Sequence, residues 1–172
     1  MSGTARPSQM DRSAFALTFG QVFEHSPWIA EAAFDRGLPE DADTASGLHP
    51  ALCAVLRDAP DARKRALIDA HPDLAGRLAR AGRLTADSTK EQAGAGLDRL
   101  TDDERARFTE LNDAYKARFG FPFIMAVKGR DKSEILAAFE RRLRNDAATE
   151  RETALEQIER IALLRLEELL PS

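Results

Sequence analysis

Apolar residues recur every three or four positions along most of this chain, and Pro, Gly and short polar clusters separate the stretches in which they do so. The first stripe, Phe15, Phe19, Val22 and Phe23, predicts a helix starting near Asp11 or Ser13. Pro27 suits the first turn of a second helix, with Trp28, Ile29, Ala32 and Ala33 turned inward and Gly37 as its stop. Residues 38–48 read as a polar loop, after which His49-Pro50 opens a short helix through Cys53 and Leu56. Pro60 opens another through Ala66, Leu67 and Ile68, and it stops near His71-Pro72 because a residue before proline is pushed out of helical geometry. Leu74 to Arg80 read as a short helix that Gly82 breaks, followed by a helix carrying Ser88, Glu91 and Gln92.

Three later helices are marked by their starts. Thr101 with Glu104, Asp131 with Glu134 and Thr149 with Glu152 each have a capping residue followed three positions on by a glutamate. Behind these starts come Phe108, Leu111, Tyr115 and Phe119, then Ile135, Leu136, Phe139 and Leu143, then Leu155, Ile158, Ile161, Ala162 and Leu166. The total is about seven or eight helices. Residues 1–10 are small and polar and predict a flexible tail, with 11–172 forming the helical domain.

One stretch breaks the rhythm. Phe119-Gly120-Phe121-Pro122-Phe123-Ile124-Met125-Ala126-Val127 is strongly apolar yet cannot be helical, because Pro122 lacks an N–H and forces Phe121 out of the α region. Its side chains argue for burial while its peptide groups need partners. A short edge strand, helix-capping contacts or a small planar ligand rich in amide-like groups would each supply them.

Composition narrows the class. The chain is 43% apolar and 31% charged, and its richness in Ala, Leu, Arg and Glu favours helix over strand. Its 172 residues fit one compact domain, so the expected fold is all-α with an irregular apolar segment near 119–127. A net charge of −4, with both signs interspersed, offers no broad basic surface for nucleic acid. One cysteine, Cys53, forms no internal disulfide, and no apolar run of about 18 residues or secretory pattern is present, so a cytoplasmic protein away from membranes is expected.

The candidate chemistry centres on His71 and the group Ser88, Glu91 and Gln92. On a helix those three fall at i, i+3 and i+4 and share a face. The same Ser88-x-x-Glu91 spacing also fits a capping box, and a lone histidine before a proline also fits a cap or packed residue. Arg165 lies close to the apolar face of the last helix, where it needs either a ligand carboxylate or an intramolecular glutamate. The three histidines, His25, His49 and His71, lack metal-ligand spacing, and no Gly-rich phosphate loop occurs.

Taken in order, Phe23-Glu24-His25-Ser26-Pro27-Trp28, Ala70-His71-Pro72-Asp73-Leu74, Ser88-x-x-Glu91-Gln92, Leu111-Asn112-x-x-Tyr115, Phe119-Gly120-Phe121-Pro122-Phe123-Ile124 and Arg160-Ile161-x-x-x-Arg165-Leu166 resemble the 2-oxo-4-hydroxy-4-carboxy-5-ureidoimidazoline (OHCU) decarboxylases of purine breakdown. The resemblance runs from about Phe19 to Leu166. It implies an all-helical homodimeric enzyme that needs no metal or organic cofactor and converts OHCU to (S)-allantoin with loss of CO2. It further implies His71 as catalytic acid/base with Glu91 as its polar partner, and Pro72, Ser88, Gln92, Phe123, Ile124 and Arg165 as substrate contacts. The competing reading is a non-catalytic helical module that binds a ligand or docks a protein partner.

Overall fold

The computed structural model describes residues 6–71 and 100–171. Pro72, Ser88, Glu91 and Gln92, with the short helices expected around them, lie outside the described residues. Among the described residues there are seven α-helices and no strand: α1 (Arg12–Phe19), α2 (Trp28–Arg36), α3 (Ala45–Asp58), α4 (Asp61–Ala70), α5 (Asp102–Phe119), α6 (Lys132–Arg142) and α7 (Ala147–Leu169). The all-α expectation is met. Contacts cluster into two units, one of Met1–Leu67 with Glu159–Ser172 and one of Ile68–Ile158.

In the first unit α1 packs on α2 and α2 on α3. Asp11 caps α1 by accepting the Ala14 N–H at 2.8 Å, and Phe15 and Phe19 are buried on its inner face. The helix ends at Phe19, sooner than its apolar stripe suggests, and Val22 and Phe23 are buried from the turn that follows. The α2 stop falls at Gly37, whose φ of 95° is open to glycine and strained for other residues. Ser8 joins the 3-10 turn Pro7–Gln9 to Asp43 through its N–H at 2.8 Å and its hydroxyl at 2.6 Å.

The α3 start differs from the sequence expectation. His49-Pro50 sits inside the helix, which begins four residues earlier because Thr44 caps it, its hydroxyl accepting the Gly47 N–H at 3.1 Å. The Ala45 N–H at this start, which has no acceptor within its own helix, donates to the Pro171 carbonyl at 2.7 Å. Leu48, Leu52 and Leu56 are buried along α3, and Ile161, Ala162 and Leu166 along the last turns of α7.

In the second unit the Thr101 capping box forms as its spacing predicts. The Thr101 hydroxyl accepts the Glu104 N–H at 3.1 Å, and the Glu104 carboxylate accepts the Thr101 N–H at 3.0 Å. Lys132 donates to the same carboxylate at 2.7 Å, and it is this bond first that holds the Glu104 carboxyl below its usual range. The core here is aromatic: Phe108, Tyr115, Phe123 and Phe139 are all at most 1% exposed. Fully burying one such side chain contributes about 1.5–3 kcal/mol.

Candidate active site

His71 occupies the position the sequence assigns it. Helix α4 ends at Ala70, and His71 follows with its N–H donating to the Ile68 carbonyl at 3.2 Å. Its side chain belongs to a buried residue, 6% exposed. The break is local physics: the residue before Pro72 is excluded from the α region, so the helix cannot carry His71 onward.

The apolar run is set up by the end of α5. Gly120 takes a left-handed conformation, φ 77° and ψ 11°, and its N–H closes the helix on the Lys116 carbonyl at 2.8 Å. Every residue from Phe121 to Val127 is then buried outside any helix. Among the described residues its backbone has two side-chain partners. Arg142 Nη1 donates to the Ile124 carbonyl at 2.6 Å, and the Ala126 N–H donates to Gln157 Oε1 at 2.9 Å. The N–H groups of Phe123, Ile124 and Met125 take part in neither bond. Side-chain contacts of the capping kind thus account for part of this backbone.

Behind the run lies a buried polar cluster. Glu150, fully buried, accepts from Tyr115 Oη at 2.6 Å, Arg142 Nε at 2.8 Å and Asn145 Nδ2 at 2.9 Å. The Arg142 guanidinium lies 4.3 Å over the Phe123 ring, which stacks on Phe139 with a centroid distance of 3.9 Å. Arg142 Nη2 is buried without a hydrogen-bond partner among the described residues. Burial pushes the Tyr115 hydroxyl well above its ordinary range, and its bond to Glu150 adds to the shift. Tyr115 therefore stays a neutral donor to a charged acceptor.

In the first unit, Arg165 is 3% exposed and Arg160 is exposed, so the register of the last helix turns Arg165 inward. Its Nη1 donates to Glu24 Oε2 at 2.9 Å and to the Val22 carbonyl at 3.3 Å. The carboxylate that offsets its desolvation is thus Glu24, at the head of the segment Glu24-His25-Ser26-Pro27-Trp28. Cys53 is half-buried and its Sγ lies 3.2 Å from His49 Nε2. Burial first, and the Glu159 charge second, push its thiol up to about 12, so it is no nucleophile at neutral pH.

Residues 8–167 match the OHCU decarboxylase family. The chain belongs to that family. It is 40% identical over 162 residues to the 2-oxo-4-hydroxy-4-carboxy-5-ureidoimidazoline decarboxylase of Halalkalicoccus jeotgali, covering 94% of this chain and 88% of that protein. It is likewise 40% identical over 161 residues to the enzyme of the same name from Haloferax volcanii, covering 94% of this chain and 92% of that one. Its fold is similar to the crystal structure of an (S)-allantoin synthase, with a TM-score of 0.75 and 32% identity over 95% of this chain. The present chain spans about half of that solved chain, 52%.

The family resemblance read from the motifs is therefore correct. Sequence reasoning missed the Arg142-Glu150-Tyr115 cluster and, having offered an intramolecular glutamate for Arg165, did not identify it as Glu24. For the first a signal exists: a buried carbonyl after Pro122 needs a donor, and Arg142 ends the next helix with apolar Phe139 one turn before it. For the second, the charged Glu24 directly follows Val22 and Phe23 of the first apolar stripe.

Proposed function

We propose that this protein decarboxylates OHCU to (S)-allantoin in urate breakdown, without a metal or organic cofactor. Membership of the OHCU decarboxylase family across residues 8–167 carries this reading. His71 is the proton-transfer group, Glu91 fixes its charge or orients the substrate, and Pro72, Ser88, Gln92, Phe123, Ile124 and Arg165 contact the substrate. When the carboxylate leaves as CO2, its bonding electrons stay on the ring carbon and spread into an adjacent C=N or carbonyl. Donors aimed at that developing charge lower the barrier. The hydroxyl on that carbon gives up its proton and becomes a carbonyl, one face of the neighbouring ureido-bearing carbon takes a proton, and general acid–base catalysis by a positioned histidine contributes about 10²- to 10⁴-fold to such transfers. The run 121–127 supports this assignment because it buries backbone N–H groups beside an arginine-anchored carbonyl.

We further infer a cytoplasmic homodimer that binds neither nucleic acid nor membrane. The net charge of −4 supports the first exclusion, and the second fits the described residues, where no helix is long and apolar enough to cross a membrane.

The test uses freshly generated OHCU, followed by optical activity. The wild type should give enantiomerically enriched allantoin faster than spontaneous decay, and His71→Asn should lose about 10²-fold or more of that acceleration while keeping its helical circular dichroism. A wild type that leaves the decay rate unchanged would establish the ligand-binding module instead. Near-normal turnover in His71→Asn would remove His71 from the chemistry.

A further inference from the structure

We infer that Arg142 is a positioning residue of the decarboxylation, holding the peptide between Ile124 and Met125 in the orientation that presents its N–H to the substrate. This rests on the proposed function and adds to it a residue that does not itself touch substrate. The C=O and N–H of a planar trans peptide point in opposite directions. Anchoring the Ile124 carbonyl on Arg142 Nη1 at 2.6 Å therefore fixes where the Met125 N–H points. The next peptide is pinned at its other end, by the Ala126 N–H on Gln157 at 2.9 Å. Two consecutive peptide planes in a run without helix or strand are thus set by side chains from α6 and α7.

The anchor is itself held. Glu150 takes Arg142 Nε at 2.8 Å, and Tyr115 and Asn145 fix Glu150 in turn at 2.6 and 2.9 Å. The guanidinium plane rests 4.3 Å from the Phe123 ring centroid, so one side chain orients both the ring and the carbonyl of adjacent residues. Nη2 is buried without a hydrogen-bond partner among the described residues. A fork aimed at Glu150 and the Ile124 carbonyl together leaves it no other direction.

Two variants separate positioning from stability. Arg142→Met combined with Glu150→Leu removes both buried charges at similar volume, which in comparable pairs preserves the fold. Arg142→Lys keeps the charge but has a single nitrogen, which cannot reach Glu150 and the Ile124 carbonyl in the fork geometry. In each, kcat on OHCU should fall at least about tenfold while KM changes far less, because a misdirected donor forfeits stabilisation of charge that develops only in the transition state. Circular dichroism and the urea midpoint establish the folded fraction. Either variant, folded and turning over with wild-type kcat, overturns the inference. A wild type that does not accelerate the decarboxylation defeats the functional reading itself, so the two failures are distinct.

Discussion

Tyr115 is the only tyrosine in the chain, so its ionisation can be followed alone through tyrosinate absorbance. Its hydroxyl is buried and donates to Glu150 at 2.6 Å, and burial first and that bond second raise its pKa. An acid whose folded pKa lies above the unfolded value, about 10, contributes stability that is fully present below that pH and is lost as pH rises above it. Native protein should therefore show no tyrosinate as pH passes about 10, while urea-unfolded protein titrates there normally. Tyrosinate should appear only together with loss of the helical signal. Tyr115→Phe keeps the ring and deletes one hydrogen bond to a charged acceptor, at about 1.5–3 kcal/mol. Arg142 and Asn145 still hold Glu150, so the loss stays below the about 3–5 kcal/mol of a fully broken buried pair. At about 2–4 °C per kcal/mol for a chain of this size, Tm should drop by about 3–12 °C, and the alkaline loss of stability should flatten. Tyrosinate appearing at an ordinary pH in protein that remains folded would refute the burial argument, and an unchanged Tm in the Phe variant would refute the hydrogen-bond one.

Gly47→Ala sets two effects against each other: helix propensity alone predicts a gain of about 1 kcal/mol, but a Cβ here would stand 2.5 Å from Asp41 Cγ and 2.7 Å from the Asp41 carbonyl carbon. Overpacking should win, lowering the urea midpoint by the equivalent of about 1–3 kcal/mol, and a raised midpoint would show that the 41–47 turn yields freely. Arg165→Lys keeps a charge near Glu24 but loses the planar fork, so kcat/KM should fall at least about tenfold, whereas Arg160→Lys on the exposed face should be nearly silent. The reverse ranking in steady-state kinetics would overturn the assignment of Arg165 to the substrate.

Where the fold was legible in the sequence, the signal was local. Thr101 and Glu104 satisfy each other within one helical turn, so four residues suffice to place the start of α5. The Thr149 signal failed because a stronger local acceptor precedes it. Asp146 takes the Thr149 N–H at 2.7 Å, and a carboxylate is favoured over a hydroxyl at a helix N-terminus, so α7 starts three residues early. The Thr44 cap was overlooked for a related reason: Gly47 looks like loop chemistry, yet glycine is the residue that lets this turn approach Asp41. His71 was legible because Pro72 acts on its immediate neighbour. The partners of Arg142 and Arg165 were not, since Glu150 and Glu24 reach them only through tertiary packing, across a helix break in one case and 141 residues in the other.

The placement of these buried charges follows from what apolar packing cannot do. Phe121, Phe123, Ile124 and Met125 are held in the core by contacts that have no preferred peptide orientation, because the hydrophobic effect scales with area and is non-directional. A helix fixes its peptides through its own ladder, and a strand fixes them through its neighbour, but a run interrupted by Pro122 has neither. Orientation must then come from side chains that are themselves fixed. An arginine meets that need only if a second acceptor locks its fork, and a buried carboxylate is stable there only if its remaining lone pairs are filled, as Tyr115 and Asn145 fill those of Glu150. The irregular backbone that suits a site rich in amide donors and the buried ion pair behind it are therefore one structural solution, and substitutions at Arg142 should be felt first in the geometry of Ile124 and Met125.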